Sequence, residues 1–207
     1  MSLTLKEKFL LQARVKKIIR QFFETKNFTE ITPQVLHTAV PEEPTIVPFQ
    51  TVWHHHDIEQ PLFLTTSPEK TMKKALASGL HQIFGFGQSF RDLEASGEFH
   101  QPEFTMLEWY RETPDSTAVM EDVKNLLDYL NHELNGVTAQ LDWQVISLNA
   151  AFSKYVGADL HTLATDTAMQ ELATEKGYTG VAESTWEQLF NQVFLNDIEP
   201  NLPKTPF

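Results

Sequence analysis

The chain has 207 residues, a length that fits one large domain or one domain with part of a second. Hydrophobic residues make up 41% of it, which is enough for a core. The formal net charge of −12 at pH 7 argues against broad, nonspecific binding of nucleic acid, and the absence of cysteine excludes a disulfide framework, a thiolate metal site and a cysteine nucleophile. No apolar run approaches the length of a membrane span, so we expect a cytoplasmic protein with no membrane partner.

The N-terminal stretch Leu5–Lys26 has apolar residues at helical spacing and predicts one amphipathic helix that ends near Asn27. Its basic residues suggest either an RNA-binding face or a solvated helix face, and the flanking Glu7 and Glu24 favour the solvated face. Pro33 then interrupts regular strand pairing and biases the residue before it toward extended backbone. The sequence thus predicts a long helix followed by a short extended segment.

Residues 46–53 are typical of an edge strand, and His54, His55, His56 and Asp57 follow it. Three adjacent histidines suggest a metal site. Neighbouring side chains of a strand point to opposite faces, however, so the three cannot ligate one ion from regular structure. The sequence therefore favours a surface turn, and no metal site is predicted.

Residues 62–69 predict a buried strand that leads into a helix over Lys70–Ser78. Ser67 is able to cap this helix, Pro68 suits its first turn, and the carboxylate of Glu69 suits the positive end of the helix dipole. Capping explains all three residues. Contact between Glu69 and a ligand is the alternative, because one carboxylate oxygen stays available.

The stretch 83–110 predicts two strands joined by a long polar turn. Alternation along the second strand puts Phe104, Glu108 and Tyr110 on one face, and Arg91 stands at the end of the first strand. A cation and a carboxylate–phenol pair that meet across a hairpin form a plausible floor for a ligand. A β-hairpin with a charged turn is the alternative.

Four further helices are predicted after the hairpin, each with apolar residues along one stripe. In the first of them the stripe consists of Val119, Val123, Leu126, Leu127 and Leu130. The predicted helices span residues 118–134, 148–156, 165–176 and 184–195, and residues 198–207 indicate an extended lead-in to a strand.

Several of these segments resemble the class II aminoacyl-tRNA synthetases, in their lysine-type branch. Ser89-Phe90-Arg91, His100 and residues 102–110 resemble motif 2 of that family. The run that ends in Glu108-Trp109-Tyr110 is most similar to the short paralogue that attaches lysine to elongation factor P. The first helix and the segment around Pro33 resemble motif 1, which builds the dimer interface in the family.

The resemblance implies a fold, an activity and a set of site residues. The implied fold is α/β (α+β), a class II synthetase-like antiparallel sheet flanked by helices, incomplete, with a small helical insertion. The implied activity uses ATP and Mg²⁺ to form lysyl-adenylate and transfers lysine to an elongation factor P-like protein or to tRNA, in a homodimer joined through the region around Pro33. The implied site residues are Arg91 as the catalytic residue at the ATP α-phosphate; Glu94, His100 and Phe104 as further ATP contacts; and Ser67, Pro68, Glu69, Glu108 and Tyr110 around the amino acid.

The sequence departs from the family pattern at two places in the predicted turn. Asp92 and Leu93 follow Arg91, so that Glu94 comes one position later than the family's glutamate. Glu98 stands in the region where the family usually has an arginine before the histidine. A carboxylate there opposes the ATP γ-phosphate unless magnesium intervenes.

The implied organisation is a catalytic core with motifs 1 and 2 over residues 1–113, a helical insertion over 114–197, and a lead-in to a further strand over 198–207. We expect the chain to be truncated before motif 3 of the family. Three hypotheses follow: a lysine-activating enzyme that acts on a protein, the core of a lysyl-tRNA synthetase, and a non-catalytic ligand-binding or dimerisation remnant.

Overall fold

The structure is a computed structural model that describes residues 3–39, 46–93, 101–113, 115–136 and 143–203. The chain divides into two compact units, Met1–Asn135 and Gly136–Phe207. The sequence predicted a boundary between residues 113 and 114, whereas the division at residue 135 assigns one more helix to the first unit.

Helix α1 spans Leu5–Thr25, as the apolar spacing predicted. It begins with a capping box, in which the side chain of Thr4 accepts a hydrogen bond from the N–H of Glu7 and the carboxylate of Glu7 accepts one from the N–H of Thr4. It ends before Asn27, which has a φ of 61°. Only its C-terminal half is buried, through Ile18, Ile19, Phe22 and Phe23.

The first sheet has the strand order β1-β5-β6. Strand β1, Thr29–Glu30, runs parallel to β5, Gln82–Phe90, and β5 pairs antiparallel with β6, Glu103–Arg111. The predicted hairpin is therefore confirmed. One face of β5 carries Phe84 and Phe86, which join the core beneath α1, and the other face carries Ile83 followed by the small residues Gly85, Gly87 and Ser89.

The second sheet has the order β2-β4-β3, with all pairs antiparallel. Its strands are β2 at Leu36–His37, β3 at Gln50–His55 and β4 at Ile58–Leu64. The predicted edge strand exists but lies further along the chain than 46–53. The predicted histidine turn is narrower than expected, because His54 and His55 belong to β3 and the reversal occurs at His56, which has a φ of 52°.

Helix α2 spans Glu69–Ala77 and helix α3 spans Thr117–Glu133. The predicted apolar stripe of α3 is wrong at Val119, which is 37% exposed. The side chain of Asp122 is buried in its place, because both of its carboxylate oxygens accept hydrogen bonds of 3.1 Å from the guanidinium of Arg111 on β6.

An aromatic core joins α1, the first sheet and α3. The ring of Phe23 stacks on that of Phe84 with centroids 4.7 Å apart, and Trp109 lies 5.5 Å from Phe23. Helix α3 contributes Leu126 to this core. The back of the hairpin is therefore filled, and its opposite face is left for other contacts.

The second unit is helical within its described residues. Helix α4 at Leu148–Ala151 continues as a π-helical turn over Phe152–Val156, and α6 at Trp186–Val193 continues as another over Phe194–Ile198. Helix α5 spans Asp166–Glu175. Three 3₁₀ turns complete the unit, at Leu160–Leu163, Val181–Glu183 and Glu199–Asn201.

The prediction of an extended segment over 198–207 is wrong for residues 198–201. The chain keeps winding there because the side-chain amide of Asn201 donates a hydrogen bond of 2.9 Å to the carbonyl of Asp197, and the N–H of Leu202 donates one of 3.1 Å to that of Ile198. Residues 204–207 lie outside the described part of the chain. Across the described ranges, no helix has both the length and the apolar character needed to cross a membrane.

Candidate functional site

The candidate site lies on the face of the β5–β6 hairpin that points away from the aromatic core. Four side chains of β6 alternate onto this face: Phe104, Met106, Glu108 and Tyr110. Their cross-strand partners on β5 are Ser89, Gly87, Gly85 and Ile83, in that order. Directly opposed residues of an antiparallel pair share a face, so the small residues of β5 lie beside the larger ones of β6.

Gly85 and Gly87 make room on this face for segments from elsewhere in the chain. A Cβ atom on Gly85 would lie 2.6 Å from the carbonyl oxygen of Ile31, and one on Gly87 would lie 2.9 Å from the Cβ of Pro68. These distances are too short for real contacts, so both positions require glycine. Pro68, a predicted substrate-binding residue, is fully buried and fixes the start of α2 against the floor.

Glu108 and Tyr110 form one end of the floor. The hydroxyl of Tyr110 donates a hydrogen bond of 3.1 Å to the carboxylate of Glu108. Burial raises the pKa of Glu108, an effect that the hydrogen bond from Tyr110 opposes and the nearby carboxylate of Glu69 adds to. Burial also raises the pKa of Tyr110, and Glu108 raises it further. This end of the floor is therefore half-buried and rich in negative charge.

The segment before α2 brings Glu69 to the same end. The hydroxyl of Ser67 accepts a hydrogen bond of 3.3 Å from the N–H of Glu69, and the hydroxyl of Thr65 donates one of 2.5 Å to the carbonyl of Ser67. The helix begins at Glu69, one residue earlier than predicted, and Pro68, predicted in the first turn, takes the N-cap position instead of Ser67. Ser67 still supports the helix start through this hydrogen bond. The carboxylate of Glu69 forms an ion pair with Lys73 one turn later.

Arg91 and Phe104 form the other end of the floor. The guanidinium carbon of Arg91 lies 5.2 Å from the centre of the Phe104 ring, which is a cation–π arrangement. The Nε of Arg91 donates a long hydrogen bond of 3.5 Å to the carbonyl of Thr66, and its backbone N–H donates one of 3.0 Å to Pro102. Among the described residues no carboxylate forms an ion pair with Arg91, so its guanidinium is available to an anion.

The structure thus places the predicted site residues on one face, with Arg91 and Phe104 toward one end of the hairpin and Glu108 and Tyr110 toward the other. Residues 66–69 run between the two ends, because the carbonyl of Thr66 contacts Arg91, Pro68 packs on Gly87 in the middle of β5, and the charge of Glu69 acts on Glu108. From the strand register, about 25 Å of strand separates Arg91 from Tyr110. Two further predicted ATP contacts, Glu94 and His100, lie outside the described residues.

The histidine run offers no metal site in the described part of the chain. His54 contacts Glu59 through Nδ1 at 3.3 Å, and the ring of His55 stacks on Trp53 with centroids 5.1 Å apart. No group of three His, Asp or Glu side chains within the described ranges is placed to hold a metal ion.

Sequence reasoning missed two polar contacts near the site. One is the ion pair between Glu69 and Lys73, although the spacing of four residues between opposite charges on a helix was a visible signal. The other is the pair of Arg111 with the buried Asp122, which ties β6 to α3 below the site. A carboxylate that interrupts an apolar stripe was its only sequence signal.

The face thus carries carboxylates and a phenol at one end and a guanidinium at the other. Comparisons with known proteins identify the family. Residues 1–198 match the family described as tRNA synthetases class II (D, K and N), and the chain belongs to this family. The predicted family and fold class are therefore confirmed.

The relatives carry two kinds of name. The chain is 34% identical over 198 residues to the elongation factor P–(R)-beta-lysine ligase of Sodalis glossinidius and 33% identical over 200 residues to that of Edwardsiella ictaluri. It is 28% identical over 210 residues to the lysine–tRNA ligase of Listeria monocytogenes. These alignments cover 93%, 94% and 97% of this chain, respectively. The chain spans 58% of the length of the first two relatives and 41% of the third.

Proposed function

We propose that this chain carries the amino-acid and ATP floor of a ligase that activates lysine as an adenylate and transfers it to a protein acceptor of the elongation factor P type. One observation carries the proposal: Glu69, Glu108 and Tyr110 converge at one half-buried end of the hairpin face, and Arg91 lies at the other. Two carboxylates suit the two ammonium groups of lysine, because a charge-assisted hydrogen bond is strong where water is partly excluded. The higher identity to the elongation factor P ligases supports the protein acceptor.

The chemistry requires two anions to meet. A carboxylate oxygen of lysine attacks the α-phosphorus of ATP, the bond from that phosphorus to pyrophosphate breaks, and lysyl-adenylate forms. No covalent enzyme intermediate is needed, so the contribution of the protein is positioning and charge neutralisation. In the proposal Arg91 neutralises the α-phosphate, the ring of Phe104 contacts adenine, and Glu69 receives the α-ammonium of lysine.

ATP and Mg²⁺ are part of the proposal because class II synthetases of the matched family imply them. The described residues include groups suited to ATP but no ligand that we assign to Mg²⁺. The guanidinium of Arg91 over Phe104, which has no carboxylate partner among the described residues, suits a nucleotide phosphate and base, whereas the carboxylates of the described floor lie at the amino-acid end. Magnesium, when bound, neutralises phosphate oxygens. We assign it no protein ligand and no step.

A calorimetric titration of the full chain tests the proposal. The ligands are L-lysine, ATP with magnesium, and a non-hydrolysable lysyl-adenylate analogue. Arg91→Ala should remove the heat of ATP and weaken the analogue while leaving lysine binding, and Arg14→Ala is the matched control because its side chain contacts Glu133, away from the floor. If neither lysine nor the analogue gives heat at millimolar concentration, the proposal is wrong.

The lysyl-tRNA synthetase core is the second candidate, since the relatives named lysine–tRNA ligase align with up to 97% of the chain. The acceptor separates the two candidates. Transfer of labelled lysine to an elongation factor P-like protein supports the first, and transfer to tRNA supports the second. Binding of lysine and ATP without adenylate formation indicates the third hypothesis, a non-catalytic ligand-binding module.

The predicted cytoplasmic location and the predicted homodimer stay predictions. Pro33, around which the dimer was expected, is buried, and its Cγ lies 3.5 Å from the position of a Cβ on Gly85. Pro33 therefore packs within its own chain, and contacts between two copies would come from its exposed neighbours. Analytical ultracentrifugation across a range of protein concentrations measures the oligomeric state directly.

A further inference from the structure

Met72 and Lys73 lie three and four residues after Glu69 in α2, so both are neighbours of Glu69 on the helix surface, with Met72 turned into the core and Lys73 turned toward solvent. Met72 is fully buried, and its sulfur lies 3.5 Å from the position of a Cβ on Gly85. Gly85 is the cross-strand partner of Glu108. Met72 therefore sets α2 against the part of the floor that carries Glu108, and Glu69 and Lys73 both lie close enough to Glu108 for their charges to act on its pKa.

The two members of the ion pair differ in their freedom. The side chain of Glu69 is 33% exposed, whereas that of Lys73 is 64% exposed. Lys73 is therefore free to swing into solvent, and Glu69 is held at the site by the anchored start of its helix. Burial raises the pKa of Glu108, Glu69 raises it further, and the ammonium of Lys73 lowers it, so the charges of the two carboxylates and the lysine are coupled.

We propose that Lys73 is a tethered counter-ion of Glu69, which the α-ammonium group of the amino-acid substrate displaces on binding. This inference rests on the proposed function, in which Glu69 receives that ammonium. Lys73 acts through Glu69 and is a positioning residue. Its ammonium neutralises the charge of the Glu69 carboxylate in the free chain and moves away from that carboxylate in the complex. The exchange is balanced, because one primary ammonium replaces another on the same carboxylate.

The ion pair accounts for a specific cost of binding. A ligand that places an ammonium on Glu69 must break the contact with Lys73, and a ligand without that ammonium does not. L-Lysine and 6-aminohexanoate differ only in the α-ammonium group. Removal of the Lys73 charge should therefore favour lysine more than 6-aminohexanoate, which gains only from the weaker influence of Lys73 on Glu108. A purely structural role for Lys73 would affect both ligands alike.

Calorimetry on the full chain at pH 8 and low ionic strength measures this difference. Lys73→Gln should bind lysine about two- to fivefold more tightly than the wild type, the factor expected for an exposed ion pair that no longer has to break. Its affinity for 6-aminohexanoate should change by less, so that the ratio of the lysine affinity to the 6-aminohexanoate affinity rises. Lys73→Arg should restore the wild-type ratio of the two affinities, and Lys74→Gln, one residue further along the helix, should not change it. Half-molar salt should reduce the effect through screening.

A spectroscopic experiment follows Lys73 itself. Reductive methylation with ¹³C-formaldehyde labels lysine amines while keeping their charge, and the signal that is missing in Lys73→Gln identifies Lys73. Addition of lysine should move this signal toward the position of the solvent-exposed lysines, and addition of 6-aminohexanoate should leave it in place.

The outcomes separate the inference from the proposed function. Lysine binding with an unchanged ratio in Lys73→Gln, or a Lys73 signal that lysine does not move, would overturn the inference alone. The absence of lysine binding in the wild type would overturn the proposed function and the inference with it. A raised ratio that Lys73→Arg restores supports both.

Discussion

Glu69 and Glu108 carry the same chemical group in different surroundings. Glu108 accepts a hydrogen bond from the hydroxyl of Tyr110 on a half-buried strand face, and burial raises the pKa of Glu108. Glu69 stands at the start of a helix with an ammonium group in contact. Chain alternation predicted that Glu108 and Tyr110 share a face, because the period of a strand is two. It could not predict the degree of burial, which depends on what α2 covers.

The raised pKa of Glu108 leads to a prediction about stability. The folded state binds this proton more tightly than the unfolded state, so the ionised carboxyl destabilises the fold once the pH rises above its ordinary pKa of 4.5 and through the raised folded value. Glu108→Gln should therefore be slightly more stable than the wild type at pH 7, and this difference should vanish below about pH 4. Urea unfolding of both proteins at the two pH values measures it.

The same substitution should weaken lysine binding about tenfold or more, because a charge-assisted hydrogen bond becomes a neutral one. Glu103→Gln is the control, since Glu103 lies on the same strand but is exposed and accepts a hydrogen bond of 3.0 Å from Gln88.

In the urea experiment, a Glu108→Gln protein that is less stable than the wild type at pH 7 would contradict the assigned burial of Glu108.

At the scale of elements, the sequence predicted the β5–β6 hairpin but not the segments that pack on its face. The run of apolar and β-branched residues around a polar turn indicated both strands of the hairpin. The need for glycine at positions 85 and 87 comes from Ile31 and Pro68, which are distant in sequence. Local patterns do not contain such contacts, so sequence reasoning assigned Pro68 to the helix start and to the substrate site without its packing against Gly87.

Gly87→Ala tests this close packing. The new Cβ would meet Pro68 at 2.9 Å and should displace the start of α2, at a cost of about 1–3 kcal/mol in the free energy of unfolding. Lysine affinity should fall as well, because Glu69 moves with the helix. Gly79→Ala is the matched control: its φ of 101° makes alanine strained, at about 1 kcal/mol, but no atom lies within 4 Å. The control should lose stability without losing lysine affinity in calorimetry.

The pair of Arg111 and Asp122 joins two elements, and its removal should be costly. Asp122→Ala leaves the guanidinium of Arg111 without its carboxylate beside a core, and should cost about 2–4 kcal/mol, somewhat less than a fully buried pair because Arg111 is 29% exposed. Glu30→Ala removes a comparable partner from the exposed Arg20 and should cost less than about 1 kcal/mol. Equal losses in urea unfolding would contradict the difference in burial.

At the scale of the molecule, the family resemblance predicted the architecture better than it predicted the division of the chain. The predicted core ended at residue 113, but α3 packs against α1 and belongs to the first unit. The apolar stripe of α3 indicated that one side of the helix is buried, but a stripe does not indicate which other element covers it. The π-helical turns after α4 and α6 were also missed, since their spacing differs from that of an α-helix only over single turns.

The division at residue 135 makes a prediction about autonomous folding. A fragment of residues 1–136 should unfold cooperatively, because it keeps Leu126 in the aromatic core and the ring of Tyr129 at 5.8 Å from Phe22. A fragment of residues 1–113 should not, because loss of α3 exposes this core and leaves Arg111 unpaired. Thermal melts followed by circular dichroism and tryptophan fluorescence compare the two. The longer fragment retains every predicted site residue and should bind lysine as the full chain does, whereas a cooperative melt of the shorter fragment would show that α3 is dispensable to the core.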